Sequence, residues 1–370
     1  MGLVHPGAPE SADVQESEDV VKAVPRSRLL WCVFEPERGA LWLSDVPLGL
    51  CSALIYCCLD LTSRGVRYPK PRDEGASGAN VFQTLKDRRP QLALYVFFGD
   101  GQLTTAAFAN QVRSSSPGEL STVVGGWLLE HGLDGMLFFY RSHRSWTRAD
   151  DTFRDFARRF RDDLGRLGLL VSAVVSVDRE DVKGSINNML TTFPTGPLVL
   201  RTHDASPQPR DEALCPMPFS RGVHQGSVSR LLADVNASVG DFDRLVAPRL
   251  MFSVTFATSS YLLEDANLPQ EGSPALRLDG EEATYADACE QALKLGYGHF
   301  MSPRGDCMVV HKERLWHSGF GPTSTRIFGP TARFAGAVVF AMHGDDRTGR
   351  CGGHPHTLLV HVATALRRRQ

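Results

Sequence analysis

Acidic side chains that could serve as general acids or bases follow several apolar segments of the chain. Asp100 follows LALYVFFG, Asp204 follows PLVLRTH, and the pair Asp345 and Asp346 follows AGAVVFAMHG. Barrel enzymes keep their catalytic side chains at the ends of strands, and carboxyl groups are common proton donors and acceptors there. These four residues are therefore candidates for acid–base chemistry.

The stretch HGLDGMLFFYRS has the form of a buried strand but ends without an acid. Asp134 precedes the strand, and Leu137, Phe139 and Arg141 follow at a spacing of two residues. Because alternate residues of a strand point to the same side, these three side chains are predicted to stand in one file. A guanidinium, with a pKa above about 12, cannot act as a general acid in place of a carboxyl group.

Short apolar strands alternate with amphipathic helices, and these elements must position the candidate residues. The clearest helix is DDTFRDFARRFRDDLGRLG, in which Phe153, Phe156, Phe160 and Leu164 repeat with helical spacing. The segments RLLWCVF, SALIYCCLDL, LALYVFF, GMLFFY, LLVSAVVSV, PLVLRTH, RLMFSVTFA and AGAVVFAM predict a (β/α)8 barrel of the α/β class. A doubly wound open sheet is the alternative, but no glycine-rich phosphate loop follows the first strand.

The composition indicates a globular protein with one large domain or two ordinary ones. The chain has 370 residues, is 42% hydrophobic and has a formal net charge of −2. Basic and acidic residues are interspersed, so neither nucleic acid nor an anionic membrane is a predicted partner. No apolar run approaches the roughly 20 residues that span a bilayer.

Residues 1–26 are interpreted as a flexible acidic leader, and residues 27–370 as the barrel. The leader lacks the basic and then apolar pattern of a signal peptide, and Pro6 stands where a myristoylation signal needs Ser or Thr. We interpret the start of the chain as a mature or truncated N-terminus.

The chain contains eight cysteines and no Cys-x-x-Cys pair, so disulfides are favoured over a structural metal site. Disulfides predict an oxidising compartment and hence an extracellular, secreted protein. Asn236 begins the triplet NAS, a glycosylation sequon. His354 and His356 have no evident third ligand, and neither a metal nor a cofactor is predicted.

From about Leu29 onward the chain resembles glycoside hydrolase family 18, the chitinase family, in its chitinase-like branch that lacks the catalytic glutamate. Landmarks in the family's order carry the resemblance: LLWCVF, LCSALIYCCLDL, LALYVFFGDG, HGLDGMLFFYR, LVLRTHD, APRLMFSVTFATSSYLL, TYADACEQ and AGAVVFAMHGDDRTGRC. The resemblance implies a TIM barrel with a small α+β insertion between strands 7 and 8, roughly residues 261–333. It also predicts that AGAVVFAM closes the barrel beside RLLWCVF.

Members of this family cleave between N-acetylhexosamines with the help of the substrate's own acetamide group. A terminal glutamic acid protonates the leaving oxygen, and an aspartate two residues earlier orients the acetamide. The resemblance places Leu137, Phe139 and Arg141 at the positions of the motif's last three acids and retains only Asp134. The chain is therefore predicted to have no catalytic residues and to be a pseudoenzyme.

The resemblance also names the residues of the former sugar groove. His203 replaces a tyrosine, and Phe340 replaces the tryptophan that floors the cleavage subsite, where it is expected either to stack on a sugar or to join the core. Arg141 and Asp204 are predicted to form an ion pair across the mouth. The triplet GGW at 125–127 is interpreted as helix packing rather than as the family's third-strand motif. The ligand-binding candidates are Asp100, Tyr140, Arg141, His203, Asp204 and Phe340.

Two disulfides are implied by the resemblance, Cys32 with Cys51 and Cys289 with Cys351. Cys57, Cys58, Cys215 and Cys307 match nothing in the family, and at least one of the neighbours Cys57 and Cys58 is predicted to pack as a small buried hydrophobe.

Three functions are compatible with these observations. The first is a secreted, inactive protein that binds chitin or a related N-acetylhexosamine glycan, and the second is a protein-interaction module with a signalling or immune-modulating role. A residual glycosidase is the third. Exposed aromatic side chains along one groove would favour the glycan-binding protein.

Overall fold

The computed structural model describes most of the chain from Arg28 onward. The described residues are 28–35, 46–62, 65–67, 81–99, 117–141, 148–176, 182–204, 211–215, 228–238, 246–278, 284–294, 298–301, 307–321, 325–351 and 354–367. The predicted leader, residues 1–26, lies outside this part of the chain.

Strands and helices alternate along most of the described chain. The strands are β1 (Leu29–Phe34), β2 (Ala53–Thr62), β3 (Gly65–Arg67), β4 (Ala93–Phe98), β5 (Gly135–Arg141), β6 (Leu170–Ser176), β7 (Leu198–Leu200), β8 (Leu250–Thr255), β9 (Ser259–Leu263), β10 (Ala275–Arg277), β11 (Gly298–Met301), β12 (Met308–Lys312), β13 (Leu315–Gly319) and β14 (Gly336–Phe340). The α-helices are α1 (Val81–Arg88), α2 (Pro117–Glu130), α3 (Arg148–Arg166), α4 (Val182–Thr192), α5 (Val228–Ser238), α6 (Tyr285–Lys294) and α7 (Thr357–Arg367).

Eight parallel strands form a closed barrel in the order β1, β2, β4, β5, β6, β7, β8 and β14. The ring closes where β14 pairs with β1, with Leu29 beside Gly336 and Cys32 beside Val339. This closure and the TIM-barrel fold confirm the fold predicted from the sequence. The open-sheet alternative is wrong, because an open sheet would leave two edge strands unpaired, whereas β1 and β14 pair with each other here.

The barrel strands divide their side chains between two separate apolar cores. On β5, Met136 and Phe138 face the layer between the strands and the helices, whereas Leu137 and Phe139 face the barrel interior. The two-residue period of a strand produces this division. The interior is filled by side chains, as the sequence predicted for Leu137 and Phe139, and is not an open channel.

Helix α3 covers the outside of the barrel with the apolar face that its sequence predicts. Phe153, Phe156, Phe160 and Leu164 are all buried. The rings of the first three lie edge-on to Phe138 of β5, with centroid distances of 5.7–6.3 Å. This arrangement is a favourable one for aromatic pairs.

The GGW triplet lies in α2 and serves the contact between α2 and α3. A Cβ atom on Gly125 would lie 2.7 Å from Leu167 Cδ1 and 2.9 Å from Leu164 Cδ2, so a side chain there would crowd α3. Trp127 stacks on His131, one helical turn away, with ring centroids 4.3 Å apart. These contacts agree with the interpretation of GGW as a packing motif.

A second, antiparallel sheet is inserted between β8 and β14. Its strand order is β10, β9, β13, β12 and β11, and α6 packs against β12. The insertion therefore has the predicted α+β character, with its sheet spanning residues 259–319. Tyr261, Trp316 and Cys307 belong to its buried core.

Four disulfides join all eight cysteines. Two of them, Cys32–Cys51 and Cys289–Cys351, are the predicted pairs. The other two, Cys57–Cys58 and Cys215–Cys307, were not predicted. Cys57 is buried in the barrel interior, as expected for one of the neighbours, but it is bonded to Cys58.

The Cys215–Cys307 disulfide ties the chain that follows β7 to the inserted sheet. Residues 211–215 run along the edge of β10, where the Ala275 N–H donates to the Asp211 carbonyl at 2.9 Å and the Ala213 N–H donates to the Ser273 carbonyl at 2.9 Å. No pattern in the sequence relates these two segments. No helix in the described ranges is long and apolar enough to cross a membrane.

Candidate functional site

The carboxyl ends of the barrel strands form a mouth, where enzymes with this fold place their active sites. The file of residues predicted on β5 rises toward this mouth. Leu137 is fully buried in the barrel interior, and Phe139 is 9% exposed. Both side chains are apolar, so neither offers a carboxylate where the resemblance implies one. Phe139 pairs with Val174 on β6, and Leu137 pairs with Phe97 on β4.

Three phenylalanine rings form the floor of the mouth. Phe97 lies 5.9 Å from Phe139 and 6.5 Å from Phe340, measured between ring centroids. Phe340, at the end of β14, is only 7% exposed. Phe97, Phe139 and Phe340, here called the aromatic floor, close the barrel interior from above.

Arg201 lies on top of the aromatic floor. Its guanidinium carbon is 5.0 Å from the centroid of Phe139 and 5.7 Å from the centroid of Phe340, within the range of a cation–π interaction. The sequence analysis missed this residue. The sequence did contain a signal for it. Val199 lies in the barrel interior, and Arg201 comes two residues later, so the two-residue period of a strand predicts that Arg201 also points inward.

His203 and Ser253 fix the position of Arg201. The Arg201 Nε–H donates to His203 Nε2 at 3.1 Å, so this ring nitrogen carries the lone pair and the ring proton lies on Nδ1. Nδ1 then donates to Ser253 Oγ at 2.6 Å. His203 was a predicted ligand-binding candidate; here its ring also lies 4.8 Å from the Phe340 ring.

The neighbouring residue Thr202 locks the end of β7 to β8. The Ser253 N–H donates to Thr202 Oγ1 at 3.1 Å, and this hydroxyl donates in turn to the Ser253 carbonyl. Both residues are fully buried. The short turn from Thr202 to Asp204 is therefore held rigidly, and Arg201 and His203 with it.

A carboxylate and an imidazole meet on the β1 side of the mouth, and the sequence analysis singled out neither. Glu35 Oε2 accepts the Ala341 N–H at 3.1 Å and lies 4.0 Å from His343 Nδ1. The pairing of β1 with β14 brings these residues together. Ala341 has a φ of 52°, a left-handed conformation that costs a non-glycine residue about 1 kcal/mol.

Asp134, the retained acid of the motif, lies at the opposite end of the barrel from the mouth. Its Oδ2 accepts the Leu94 N–H at 2.8 Å and an Nζ–H of Lys86 at 2.5 Å. Burial, together with the charge of Asp134, raises the pKa of Tyr95 to about 12. Asp134 therefore ties β4 and β5 together and takes no part in the mouth.

Asp345 and Asp346 are buried and accept backbone hydrogen bonds instead of facing the mouth. Asp345 accepts the N–H groups of Leu358 and Leu359 at 2.9 and 3.0 Å, at the start of α7. Asp346 accepts the Cys351 N–H at 2.6 Å. Burial raises the pKa of Asp345, although its hydrogen bonds act in the opposite direction. This pair organises the chain between β14 and α7.

The remaining predictions concern residues or side chains outside the described part of the chain. They are Asp100 and the side chains of Tyr140, Arg141, Asp204 and Asn236. The ion pair between Arg141 and Asp204 and the glycosylation of Asn236 therefore stay predictions. Among the described residues, no group of three or more His, Cys, Asp or Glu side chains could hold a metal ion.

The described residues place no exposed aromatic ring at the mouth or elsewhere on the surface. The widely exposed large hydrophobic side chains in these ranges are one valine and six leucines. Phe340 could offer its face to a sugar only if Arg201 and His203 moved away from it. The geometry thus provides a cation and an imidazole at the floor of the mouth, where the resemblance implied acids and a stacking platform.

Comparison with solved structures identifies the fold as that of chitinases. A Group IV chitinase from Ostrinia furnacalis in complex with allosamidin superposes with a TM-score of 0.78 at 17% identity, over 93% of this chain and 100% of the other. The protein YKL-39, solved in the presence of chitooligosaccharides, gives a TM-score of 0.76 at 18% identity, over 91% and 99%. An immunomodulatory active chitinase from Trichuris suis gives 0.74 at 15% identity, over 92% and 100%.

No protein-family model and no curated protein sequence matches the chain. The similarity is therefore one of fold.

Proposed function

We propose that this chain is a catalytically inactive, secreted chitinase-like protein that binds N-acetylhexosamine glycans at the mouth of its barrel. The position of Arg201 on Phe139 carries the proposal. A guanidinium lies 5.0 Å from the ring that stands where the resemblance implies an acetamide-orienting acid. The four disulfides and the chitinase fold agree with an extracellular protein.

The loss of catalysis follows from charge. Substrate-assisted cleavage builds positive charge on the sugar and its acetamide, and anionic side chains stabilise that charge. Leu137 and Phe139 offer no charge, and Arg141 stands where the resemblance implies the terminal glutamic acid. Together they remove the means by which the fold cleaves a glycosidic bond.

Retention of glycan binding is supported by the fold and by the rigid polar groups at the mouth. YKL-39, a structural neighbour, has been solved in the presence of chitooligosaccharides. In the present chain Arg201 and His203 are held in place by Phe139, Phe340 and Ser253. Preorganised donors and acceptors of this kind suit the hydroxyl and acetamide groups of a saccharide.

A second candidate is a protein-interaction module on the same scaffold. Leu262 is 38% exposed and Leu276 is 60% exposed, and the two are directly paired between β9 and β10. Leu315 pairs with Leu262 from the other side. This row of leucines on the inserted sheet is the observation that favours a protein partner.

An unbiased glycan array combined with calorimetry separates the two candidates. We expect the wild type to bind N-acetylhexosamine oligosaccharides. The Leu262→Lys, Leu276→Lys double variant should retain this binding, whereas Arg201→Gln should change its affinity. A blank array, with no heat at millimolar oligosaccharide, would refute glycan binding and favour the protein-interaction module.

A further inference from the structure

The disulfide between Cys57 and Cys58 joins two residues that are already neighbours in the sequence. The other three disulfides join residues that are 19, 62 and 92 positions apart. In the chain-entropy model a disulfide stabilises a fold by closing a loop of the unfolded chain, and this one closes no such loop. Its role must therefore be sought in the place where it puts its sulfur atoms.

A bulge in β2 turns both cysteines to the same side of the barrel wall. Cys57 pairs with Phe97 of β4, and the next paired residue of β2 is Leu59. Cys58 is therefore the extra residue of the bulge. In a regular strand it would face outward, but here it packs against the interior apolar cluster that contains Cys57 and Phe97. Bulges re-aim side chains in this way and are common beside active sites.

The bulge lies at the mouth end of the barrel. The Gly99 N–H, directly after β4, donates to the Leu59 carbonyl at 3.0 Å. Cys58 therefore stands level with the carboxyl end of β4. Phe97, which belongs to the aromatic floor, is the neighbour of Cys57 in the sheet. The disulfide thus adjoins the aromatic floor on the β2 side.

Cys58 brings partly exposed apolar surface to this end of the barrel. Among the described residues, five other partly buried apolar side chains pack against the interior cluster, and all stand at or near the beginnings of strands, at the opposite end: Leu29, Ala93, Tyr95, Leu170 and Ala335. The three rings of the aromatic floor are themselves buried. Within the described part of the chain, the apolar surface that a ligand in the mouth can reach on this cluster is therefore that of the disulfide.

The chemistry of a disulfide suits the face of a sugar ring. Its sulfur atoms are polarisable and weak hydrogen-bond acceptors, so they make dispersion contacts rather than polar ones. The faces of a pyranose ring carry C–H groups, which gain from the same contacts and from leaving water. The ring of Phe340 is less suited to this part, because Arg201 and His203 lie against it.

We propose that the Cys57–Cys58 disulfide is the apolar platform of the mouth, against which a pyranose ring of an N-acetylhexosamine oligosaccharide lies. This inference rests on the proposed glycan binding and assigns a residue pair to it. Because the contact is apolar, it contributes a negative heat-capacity change to binding. Its contribution to the affinity is also independent of salt concentration, unlike that of an exposed charge.

Calorimetric titration with chitotetraose at several temperatures tests the inference. The Cys57→Ala, Cys58→Ala double variant should bind about threefold to tenfold more weakly than the wild type, the range for part of one side chain withdrawn from water. Its heat-capacity change on binding should also be less negative. The Cys57→Ala, Cys58→Met variant should regain part of the affinity, because a thioether restores a polarisable apolar surface.

The Cys32→Ala, Cys51→Ala double variant is the matched control, because it removes a disulfide away from the mouth. Both cysteines belong to the outer apolar layer, and Cys51 precedes β2, at the opposite end of the barrel. This disulfide spans 19 positions, so its loss should lower the melting temperature and leave the affinity for chitotetraose unchanged. The Cys57→Ala, Cys58→Ala variant should show the opposite pattern, with a lower affinity and a melting temperature close to that of the wild type.

Protection by the ligand tests the same contact in the unaltered protein. Cys58 is partly exposed, so a water-soluble phosphine can reach the native disulfide, and alkylation followed by mass spectrometry measures how fast it is reduced. Chitotetraose should slow the reduction of Cys57–Cys58 in proportion to the fraction of protein that has ligand bound. The reduction of Cys32–Cys51 should not change.

The outcomes separate the inference from the proposed function. Equal affinity of the wild type and the Cys57→Ala, Cys58→Ala variant overturns the inference and leaves glycan binding standing, as does an equal loss of affinity in the control variant. Where a variant fails to fold, an unprotected Cys57–Cys58 disulfide in the ligand-bound wild type overturns the inference. Absence of chitotetraose binding by the wild type, together with a blank glycan array, overturns the proposed function and the inference with it.

Discussion

The guanidinium of Arg201 lies over the ring of Phe139, with its central carbon 5.0 Å from the ring centroid, and thereby joins the end of β7 to the end of β5. Phe139 is one of the motif positions that the sequence singles out, whereas Arg201 is not conspicuous in the sequence, and the barrel brings the two together. A cation on an aromatic ring stands at the centre of the mouth. The consequences for stability, binding and catalysis can each be measured.

Arg201→Ala is expected to lower the free energy of unfolding by about 1–2 kcal/mol. The substitution removes two cation–π interactions and the hydrogen bond to His203. Urea denaturation measures the change. Arg159→Ala, on the exposed face of α3, should change it by less than about 0.5 kcal/mol. Equal effects of the two substitutions would contradict the role of the floor contacts.

Gly125 and Gly126 should respond to alanine in different ways. Nothing lies within 4 Å of a Cβ on Gly126, so Gly126→Ala should stabilise the protein by about 1 kcal/mol through helix propensity. At Gly125 the same gain is opposed by crowding against Leu164 and Leu167. Thermal or urea denaturation should therefore find Gly125→Ala the less stable of the two, and the reverse order would contradict the packing of α2 on α3.

The Cys215–Cys307 disulfide should contribute strongly to stability because it closes a long loop. The two cysteines are separated by 92 residues, for which the chain-entropy model gives about 4–5 kcal/mol. The Cys215→Ala, Cys307→Ala double variant should lose an amount of this order in urea denaturation. A loss below about 1 kcal/mol would show that residues 211–215 stay docked on the inserted sheet without the covalent bond.

The contribution of Asp345 to stability should depend on pH. Burial raises its pKa in the folded protein above the unfolded value of about 3.9, so the folded state favours the protonated form. Its stabilising contribution is therefore complete below that value and declines as the pH rises through the folded pKa. Asp345→Asn cannot ionise, so the deficit of this variant relative to the wild type should be largest near pH 3.5 and smaller near pH 7.

Urea denaturation of both proteins at the two pH values measures this difference. The comparison of the two proteins isolates the effect of the side chain at position 345 to a first approximation. A deficit that grows with pH would mean that the backbone N–H donors of Asp346, Leu358 and Leu359 outweigh burial at Asp345.

The sequence predicted the parts of the structure that depend on local pattern. The period of two placed Leu137 and Phe139 in the barrel interior, and the period of the phenylalanines placed α3 on the barrel. The order of family landmarks added the closure of β14 on β1 and two disulfides. Each of these features could be predicted because it shows in a repeating spacing or in a resemblance that spans the chain.

The missed features depend on which distant segments meet. Glu35 and His343 are more than three hundred residues apart and are joined through the pairing of β1 with β14. Cys215 and Cys307 lie in two segments that a sequence pattern does not relate. Arg201 follows β7, a strand of only three residues. So short a strand shows its two-residue period poorly, and the inward direction of Arg201 is therefore hard to recognise in the sequence beside His203.

The central claim is that the mouth cannot perform the chemistry of the chitinase fold, and turnover of a fluorogenic chitooligosaccharide tests it most directly. We expect the wild type to show no hydrolysis above a heat-killed control. Arg141→Glu should show none either, because Phe139 and Leu137 still supply no carboxylate and groups that act as a unit are not repaired singly. Measurable turnover by the wild type would contradict the claim outright, and turnover by Arg141→Glu alone would show that the mouth above the aromatic floor still accepts a substrate in a productive position.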